Sequence, residues 1–315
     1  MTATTLAVKV DVDTDVGTRD GVPRLLSLFE QLGIRVTFLF ALGPDNTGRA
    51  LRRILRPGFI RKVLRTNVVS TYGFRTLLNG VLWPGPHIGR RNEVVMRAAR
   101  AAGHEVGIHC YDHIRWQDGL ARMSQAQVTE EFSRARSEFE RIFQEPARTA
   151  GAAGWQANAF SLKAYDDAAL VYASDARGTS PFFPHVADKV FHTLQIPTTL
   201  PTLDELLGRP EYPETTLIDH YLGLLRPAQI NVLTSHAEIE GLRKLDLFRE
   251  LLQRALDQSV AFTPLIDCAR GLLEDSAAVP VCELLQGTVD GRSGTMAVQG
   301  PVSTANDLAH LKQVV

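Results

Sequence analysis

The chain has 315 residues, of which 44% are hydrophobic and 22% charged, and its formal net charge is -1. That size allows one large α/β domain or two smaller ones, and the near-zero charge gives the molecule no bulk preference for polyanions. The three cysteines, Cys110, Cys268 and Cys282, are far apart and form no CxxC, which argues against a disulfide framework or a thiolate zinc site. In chain order, Leu6 to Thr14 (LAVKVDVDT) comes first and reads as a buried parallel strand that ends in acid. Residues i and i+2 of a strand face the same side, so Asp11 and Asp13 project together, about 7 Å apart along the chain. Two such carboxylates resist burial unless a cation or a proton satisfies them. No basic start with an apolar core precedes this strand, so no signal peptide is expected. No run of 18 apolar residues is present to span a bilayer.

Asp20 to Leu32 follows as a helix, with Pro23 in its first turn and Gly33 at its end. Arg35 to Leu42 (RVTFLFAL) is a second buried strand and completes a β-α-β unit. The pattern then breaks. Between Asp45 and Glu93 there is no acidic residue, while the stretch carries ten Lys and Arg. Arg49, Arg52, Arg53 and Arg56 oppose an apolar face of Ala50, Leu51, Ile54 and Leu55. Past Pro57-Gly58, Arg61, Lys62 and Arg65 oppose Phe59, Ile60, Val63 and Leu64, and an aromatic-rich segment runs on to Trp83. Solvated surface helices would fit this pattern. The lack of acids and the following aromatics favour an amphipathic segment on an anionic bilayer surface. Apolar rather than polar residues fill the gaps between the arginines, which disfavours nucleic acid.

Alternation resumes with a helix over Asn92 to Ala102, a strand over Glu105 to His109, and a long helix over Ser124 to Phe143 with capping-box spacing at Ser124 and Gln127. Further strands are expected at Ala168 to Ser174, Val190 to Ile196, Ile230 to Thr234 and Val260 to Thr263, with an amphipathic helix over Leu242 to Asp257. Seven or eight βα units without a composition break predict an α/β fold, a distorted (β/α)7–8 barrel with an amphipathic helical insertion after strand 2. Residues 1–292 are read as one catalytic domain, 45–92 as its insertion, and 293–315 as a mobile tail.

Ionisable residues recur after the strands' C-terminal ends: Asp11 and Asp13, His109 and His113, Asp175, and His236. This is the edge where active sites of α/β sheets form. His109-Cys110-Tyr111-Asp112-His113 is HxxxH, a spacing that lets two imidazoles share a metal. Joined to one carboxylate, they form a set with positions left for water and substrate. Such a set suits zinc, with iron, cobalt or nickel also able to bind. The Asp-Val-Asp strand end also resembles haloacid-dehalogenase-type phosphatases. There, however, Asp15 stands where Thr or Val is usual, and the Mg²⁺ of those enzymes prefers oxygen to imidazole. His236, at the end of a late strand, is a candidate general acid.

Together these residues resemble the polysaccharide deacetylase superfamily, the NodB-homology group or carbohydrate esterase family four. The resemblance implies Asp11 as base, Asp13, His109 and His113 as metal ligands, Arg148 as partner of Asp11, and Asp175 as the residue that orients His236. Further blocks cover Val8 to Leu26, Pro44 to Arg49, Ala152 to Trp155, Ser174 to Gly178, Gln195 to Glu205, and His236 to Gly241. They resemble the branch of deformylases acting on 4-deoxy-4-formamido-L-arabinose-phosphoundecaprenol. That closer resemblance implies a divalent metal, zinc ahead of cobalt, nickel, iron or manganese, and an undecaprenyl-phosphate-linked aminosugar as substrate. It implies a peripheral place on the cytoplasmic face of a bacterial inner membrane, in lipid A modification and polymyxin resistance, with no nucleic-acid or protein partner. Trp155, Arg177 and Glu238 are candidate substrate contacts. A deacetylase of peptidoglycan or another polysaccharide is the alternative, against which stand the missing export signal and the basic insertion. Intact metal and base residues argue against a non-enzymatic module with a relic site.

Overall fold

The computed structural model describes residues 4–50 and 78–304. Its centre is a curled parallel sheet. β1 (Thr5–Val12), β2 (Thr37–Ala41), β3 (Glu105–Cys110), β4 (Thr149–Ala150) and β5 (Tyr172–Ala173) follow one another side by side. β1 and β2 are near-continuous apolar runs, as strands covered on both faces must be. After β6 (Phe183–Val186) and β7 (Lys189–Val190), which leave this sheet, β8 (Leu194–Gln195) joins it beside β5. β9 (Ile230–His236) pairs along β1 from its other side, and β10 (Ala261–Phe262) pairs with the first residues of β1. The ladder is not continued between β8 and β9. Instead the N–H groups of Thr199 and Leu200 both donate to Val232 O, at 3.2 and 3.1 Å. The result is a half-barrel curled towards closure, the distorted barrel expected from the alternation.

Helices Val22–Leu32, Glu93–Ala101, Gln125–Phe143 and Leu245–Asp257 cover the outside. Each turns an apolar stripe inward: Leu25, Leu28 and Phe29 of the first are wholly buried, as are Val128, Ala135 and Ile142 of the third. Ser124 caps the third with the reciprocal Gln127 bonds that its spacing predicts. The expected strand over Val190 to Ile196 is split into β7 and β8, because the chain leaves one sheet and enters another within it.

A second sheet has the order β12-β11-β6-β7, where β11 is Val281–Gly287 and β12 is Met296–Val302. Part of the expected mobile tail over 293–315 belongs to this sheet. Met296 to Val302 is a strand antiparallel to β11, with Met296 and Ala297 buried. Its pairing depends on β11 and, through β11, on β6, partners that no local periodicity reveals. Residues 305–315 lie outside the described residues.

Most of the basic insertion, with Arg52, Arg53, Arg56, Arg61, Lys62 and Arg65, also lies outside the described residues. Its two roots meet: Pro44 pairs with His87, and the Asp45 N–H donates to Pro86 O at 2.8 Å. Arg49 Nε donates to Gly80 O at 3.0 Å. Beyond that contact, Val81, Leu82 and Trp83 form an exposed apolar turn, with Leu82 65% exposed. Among the described residues, no helix is long and apolar enough to cross a membrane.

Candidate active site

Strand alternation builds the first wall of the site. Lys9, Asp11 and Asp13 follow one another at spacing two from β1 into its C-terminal end, and β9 lies alongside with Asp11 opposite His236. A slip of one residue in this register would turn one of the two away. On the other side, β3 ends with His109 and Cys110, and His113 opens the helix His113–Gly119. The turn between them is fixed by Asp112. Its carboxylate accepts the Arg115 N–H at 3.0 Å and Asn46 Nδ2 at 2.6 Å, and its own N–H donates to Glu131 at 3.0 Å. The His109 and His113 rings are thereby brought to 5.3 Å between centroids.

Asp13 lies between the two rings, its Oδ1 3.2 Å from His109 Nε2 and its Oδ2 3.4 Å from His113 Nε2. One ligand atom from each of Asp13, His109 and His113 falls within 4.8 Å of the others. Burial works to raise the Asp13 pKa, but the charges of His113 and His109 outweigh it and hold the carboxyl well below its ordinary range. Asp11 Oδ1, Asp13 Oδ1 and His109 Nδ1 are buried without a hydrogen-bond partner. Buried polar atoms left without a partner are costly unless a further group satisfies them. One carboxylate and two imidazoles in this arrangement can hold a divalent metal and leave positions open.

Glu238 supports the set from below. Its Oε1 accepts the N–H groups of Asp13 (3.0 Å) and Thr14 (2.9 Å) and the Thr14 hydroxyl (2.8 Å). Burial first, and then the Asp13 charge, push its carboxyl up to about 8. Gly17 makes room for it, since a Cβ there would stand 1.9 Å from Glu238 Oε1. Glu238, expected as a substrate contact, therefore shapes the Asp13–Thr14 turn and is not among the residues that line the cavity. The substrate side of the site is a cavity of about 130 Å³ lined by Asp11, Asp13, His109, His113, His236 and Trp155, among others. Trp155, expected as a substrate contact, is one of these lining residues and packs edge-on against His236 at 6.4 Å between ring centroids. Arg177 does not line the cavity. Its guanidinium is bonded to Glu205 and, at 3.0 Å, to Leu200 O.

Two further expectations fail. Arg148 precedes β4, so it stands at the N-terminal edge of the sheet, in a separate pocket with Arg35, Arg100 and Glu145. The cation beside Asp11 is Lys9 instead. Its Nζ lies 3.6 Å from Asp11 Oδ2 and donates to Ser174 O at 3.0 Å, and the side chain is wholly buried. Asp175 does not orient His236. Its two oxygens accept the Ala152 N–H (2.6 Å) and Gln195 Nε2 (3.0 Å), while His236 Nδ1 has no hydrogen-bond partner among the described residues. Burial pushes the Asp175 carboxyl up to about 6. Its hydrogen bonds to Gln195 and Ala152, and then the Lys9 charge, work against that rise. Sequence reasoning missed Lys9 as a site residue, although a lysine two positions before Asp11 in an otherwise apolar strand was a visible signal. It also missed Arg292, which lines the cavity from the β11–β12 hairpin and had no local signal.

The polysaccharide deacetylase family model matches residues 9–173, a span that holds Asp11, Asp13, His109 and His113. The chain belongs to the polysaccharide deacetylase family. This deacetylase-family hydrolase is similar over its length to a "Probable 4-deoxy-4-formamido-L-arabinose-phosphoundecaprenol deformylase" of Shewanella sediminis. The two are 36% identical over 296 residues, which cover 94% of this chain and 95% of that protein. It is similar also to the protein of the same description from Wigglesworthia glossinidia brevipalpis, 32% identical over 291 residues, 90% of this chain and 98% of that one. Among solved structures, one described as a "putative polysaccharide deacetylase from Mycobacterium smegmatis" shares the fold. Its TM-score is 0.61 at 15% identity, over 91% of this chain and 96% of that one.

Proposed function

We propose that this chain removes the formyl group from 4-deoxy-4-formamido-L-arabinose-phosphoundecaprenol by hydrolysis, giving formate and the 4-amino sugar. The observation that carries the reading is the Asp13–His109–His113 set with a second carboxylate, Asp11, beside it, in a chain 36% identical to a deformylase of that description across 94% of its length. Asp13, His109 and His113 would hold the metal, and the mixed carboxylate–imidazole donors favour zinc, with cobalt, nickel, iron or manganese as substitutes. When bound there, the metal supplies polarisation of the amide carbonyl and a lowered pKa for water.

The remaining work falls to the chain's own side chains. Asp11 is the base that takes the proton of the attacking water, and Lys9 holds its other oxygen in place. His236, set opposite Asp11 by the strand register, gives a proton to the departing nitrogen. Trp155 walls the cavity against solvent. The substrate's polyprenyl tail stays in a bilayer, so the enzyme must work at its surface. The acid-free arginine-rich insertion and the exposed Val81-Leu82-Trp83 turn support that placement, on the cytoplasmic face of a bacterial inner membrane. The product would serve lipid A modification with aminoarabinose and so resistance to polymyxin.

The test compares two substrates: formate release from the polyprenyl-linked formamidosugar, and acetate release from an N-acetylated oligosaccharide. Formate release that exceeds acetate release by orders of magnitude supports the proposal. Faster cleavage of the oligosaccharide would make the chain a polysaccharide deacetylase instead.

A further inference from the structure

Beyond the Ser174 carbonyl that accepts from Lys9, the blocks Ser174 to Gly178 and Gln195 to Glu205 supply no group to the proton transfers above, yet they converge with the C-terminal hairpin on the wall of the same cavity. The Arg177 N–H donates to Ala297 O at 2.9 Å and its carbonyl accepts the Gln299 N–H at 2.8 Å, so the backbone of Arg177 anchors β12. The Arg177 guanidinium binds Glu205, whose Oε1 also accepts Arg292 Nε at 2.8 Å. Arg292 Nη2 donates to Thr202 Oγ1 and Asp204 Oδ1, each at 3.1 Å. The hairpin turn is pressed against this cluster. Gly291 has φ +81°, and a Cβ there would stand 2.5 Å from Glu205 O. Trp155 lies under the Arg292 guanidinium, 4.3 Å from ring centroid to Cζ. Asp204 and Arg292 both reach the cavity that holds Asp11, Asp13 and the two histidines.

The chemistry of this wall selects its ligand. A lone guanidinium would draw a phosphate, but Arg292 is already balanced by Asp204 and Glu205. A charge-balanced pair places N–H donors beside a carboxylate acceptor, and each hydroxyl of a sugar is donor and acceptor at once. Trp155, buried beneath the Arg292 guanidinium, backs this pair and holds the fork in place. We infer that Arg292 and Asp204 form a sugar-reading wall: they bind the ring hydroxyls of the substrate while its amide faces Asp11 and the Asp13–His109–His113 set. This rests on the reading of the substrate as an aminosugar amide, and it makes the β11–β12 hairpin part of the binding site.

The experiment measures kcat and KM of the metal-loaded full chain on the methyl phosphodiester of 4-deoxy-4-formamido-L-arabinose and on its 2-deoxy and 3-deoxy analogues. Wild type, Arg292→Gln, Arg292→Lys and Asp204→Asn are compared. On the parent, Arg292→Gln should lower kcat/KM about tenfold to a hundredfold, mostly through KM, as expected for a lost bond to a charged group. Arg292→Lys keeps a charge for Glu205 but loses the fork, and should lose discrimination too. For at least one analogue, the missing hydroxyl should cost the wild type a similar factor and cost Arg292→Gln or Asp204→Asn almost nothing. Equal losses by the variants on all three substrates would overturn the inference and leave Arg292 as a brace of the hairpin. Formate release by the wild type tests the reaction separately. If the wild type cleaves only N-acetyl counterparts, the same ratios are read on that series. A wild type inactive on both series overturns both readings.

Discussion

At the scale of single residues, the active site depends on which cation accompanies Asp11. Lys9 holds that place because alternation along β1 aims it to the same side, and its burial keeps water from screening the pair. The family resemblance implies Arg148 for that place, but a residue that precedes a parallel strand faces the wrong edge of the sheet. The two assignments separate by mutation. Lys9→Met should lower kcat at least tenfold with metal content retained, whereas Arg148→Ala should leave kcat/KM within about twofold; the reverse ranking would restore Arg148. Asp11→Asn should retain the metal and lose about 10²- to 10⁴-fold in kcat, the usual worth of a positioned base. Turnover near wild type would remove Asp11 from that role. The Asp13–His109–His113 set was legible in the sequence, because DxD at a strand end and HxxxH after another are local patterns. The place of Glu238 was not legible, because its partner, the Asp13–Thr14 turn, is more than 220 positions away, and only the fold shows that its Oε1 accepts backbone N–H groups.

At the scale of elements, the strands and long helices of the barrel follow from periodicity, and Ser124 illustrates how a local cap sets a boundary. The β11–β12 hairpin was not legible. Its strands are held by β6 and by the backbone of Arg177, and its sequence is small and polar. The N-terminal end of β3 carries a separate pH device. Burial pushes the Glu105 carboxyl up to about 7 from an ordinary 4.5, against hydrogen bonds from Thr37, Tyr172 and Ile266 N–H. The folded state therefore keeps a proton that the unfolded chain releases between pH 4.5 and about 7. Stability falls as pH rises through that window and levels off above it. Glu105→Gln removes this contribution. Chemical denaturation at pH 5 and pH 8 should show wild type losing more stability between the two than the variant; equal losses would contradict the assignment.

At the scale of the whole molecule, the alternation of strands and helices made the curled parallel sheet legible in advance. The way it ends, with Thr199 and Leu200 capping Val232 in place of a full ladder, was not, because it depends on loop geometry. The proposed function joins the site to the basic, acid-free segment of the same sequence, as in an enzyme that meets a lipid-linked substrate. Neutralising Arg52, Arg53, Arg61 and Lys62 should weaken binding to anionic liposomes by roughly 1 kcal/mol per charge. Hydrolysis of a water-soluble analogue should stay nearly unchanged, and liposome binding equal to wild type would return the segment to an ordinary solvated surface. The most direct test of the account is formate release from the polyprenyl-linked formamidosugar by wild type and Asp13→Ala, each before chelation, after it, and after a divalent metal is restored. Wild-type protein should release one formate per amine formed, stop on chelation and recover with metal, while Asp13→Ala stays inactive throughout. Formate release that survives chelation, or that persists in Asp13→Ala, would contradict it.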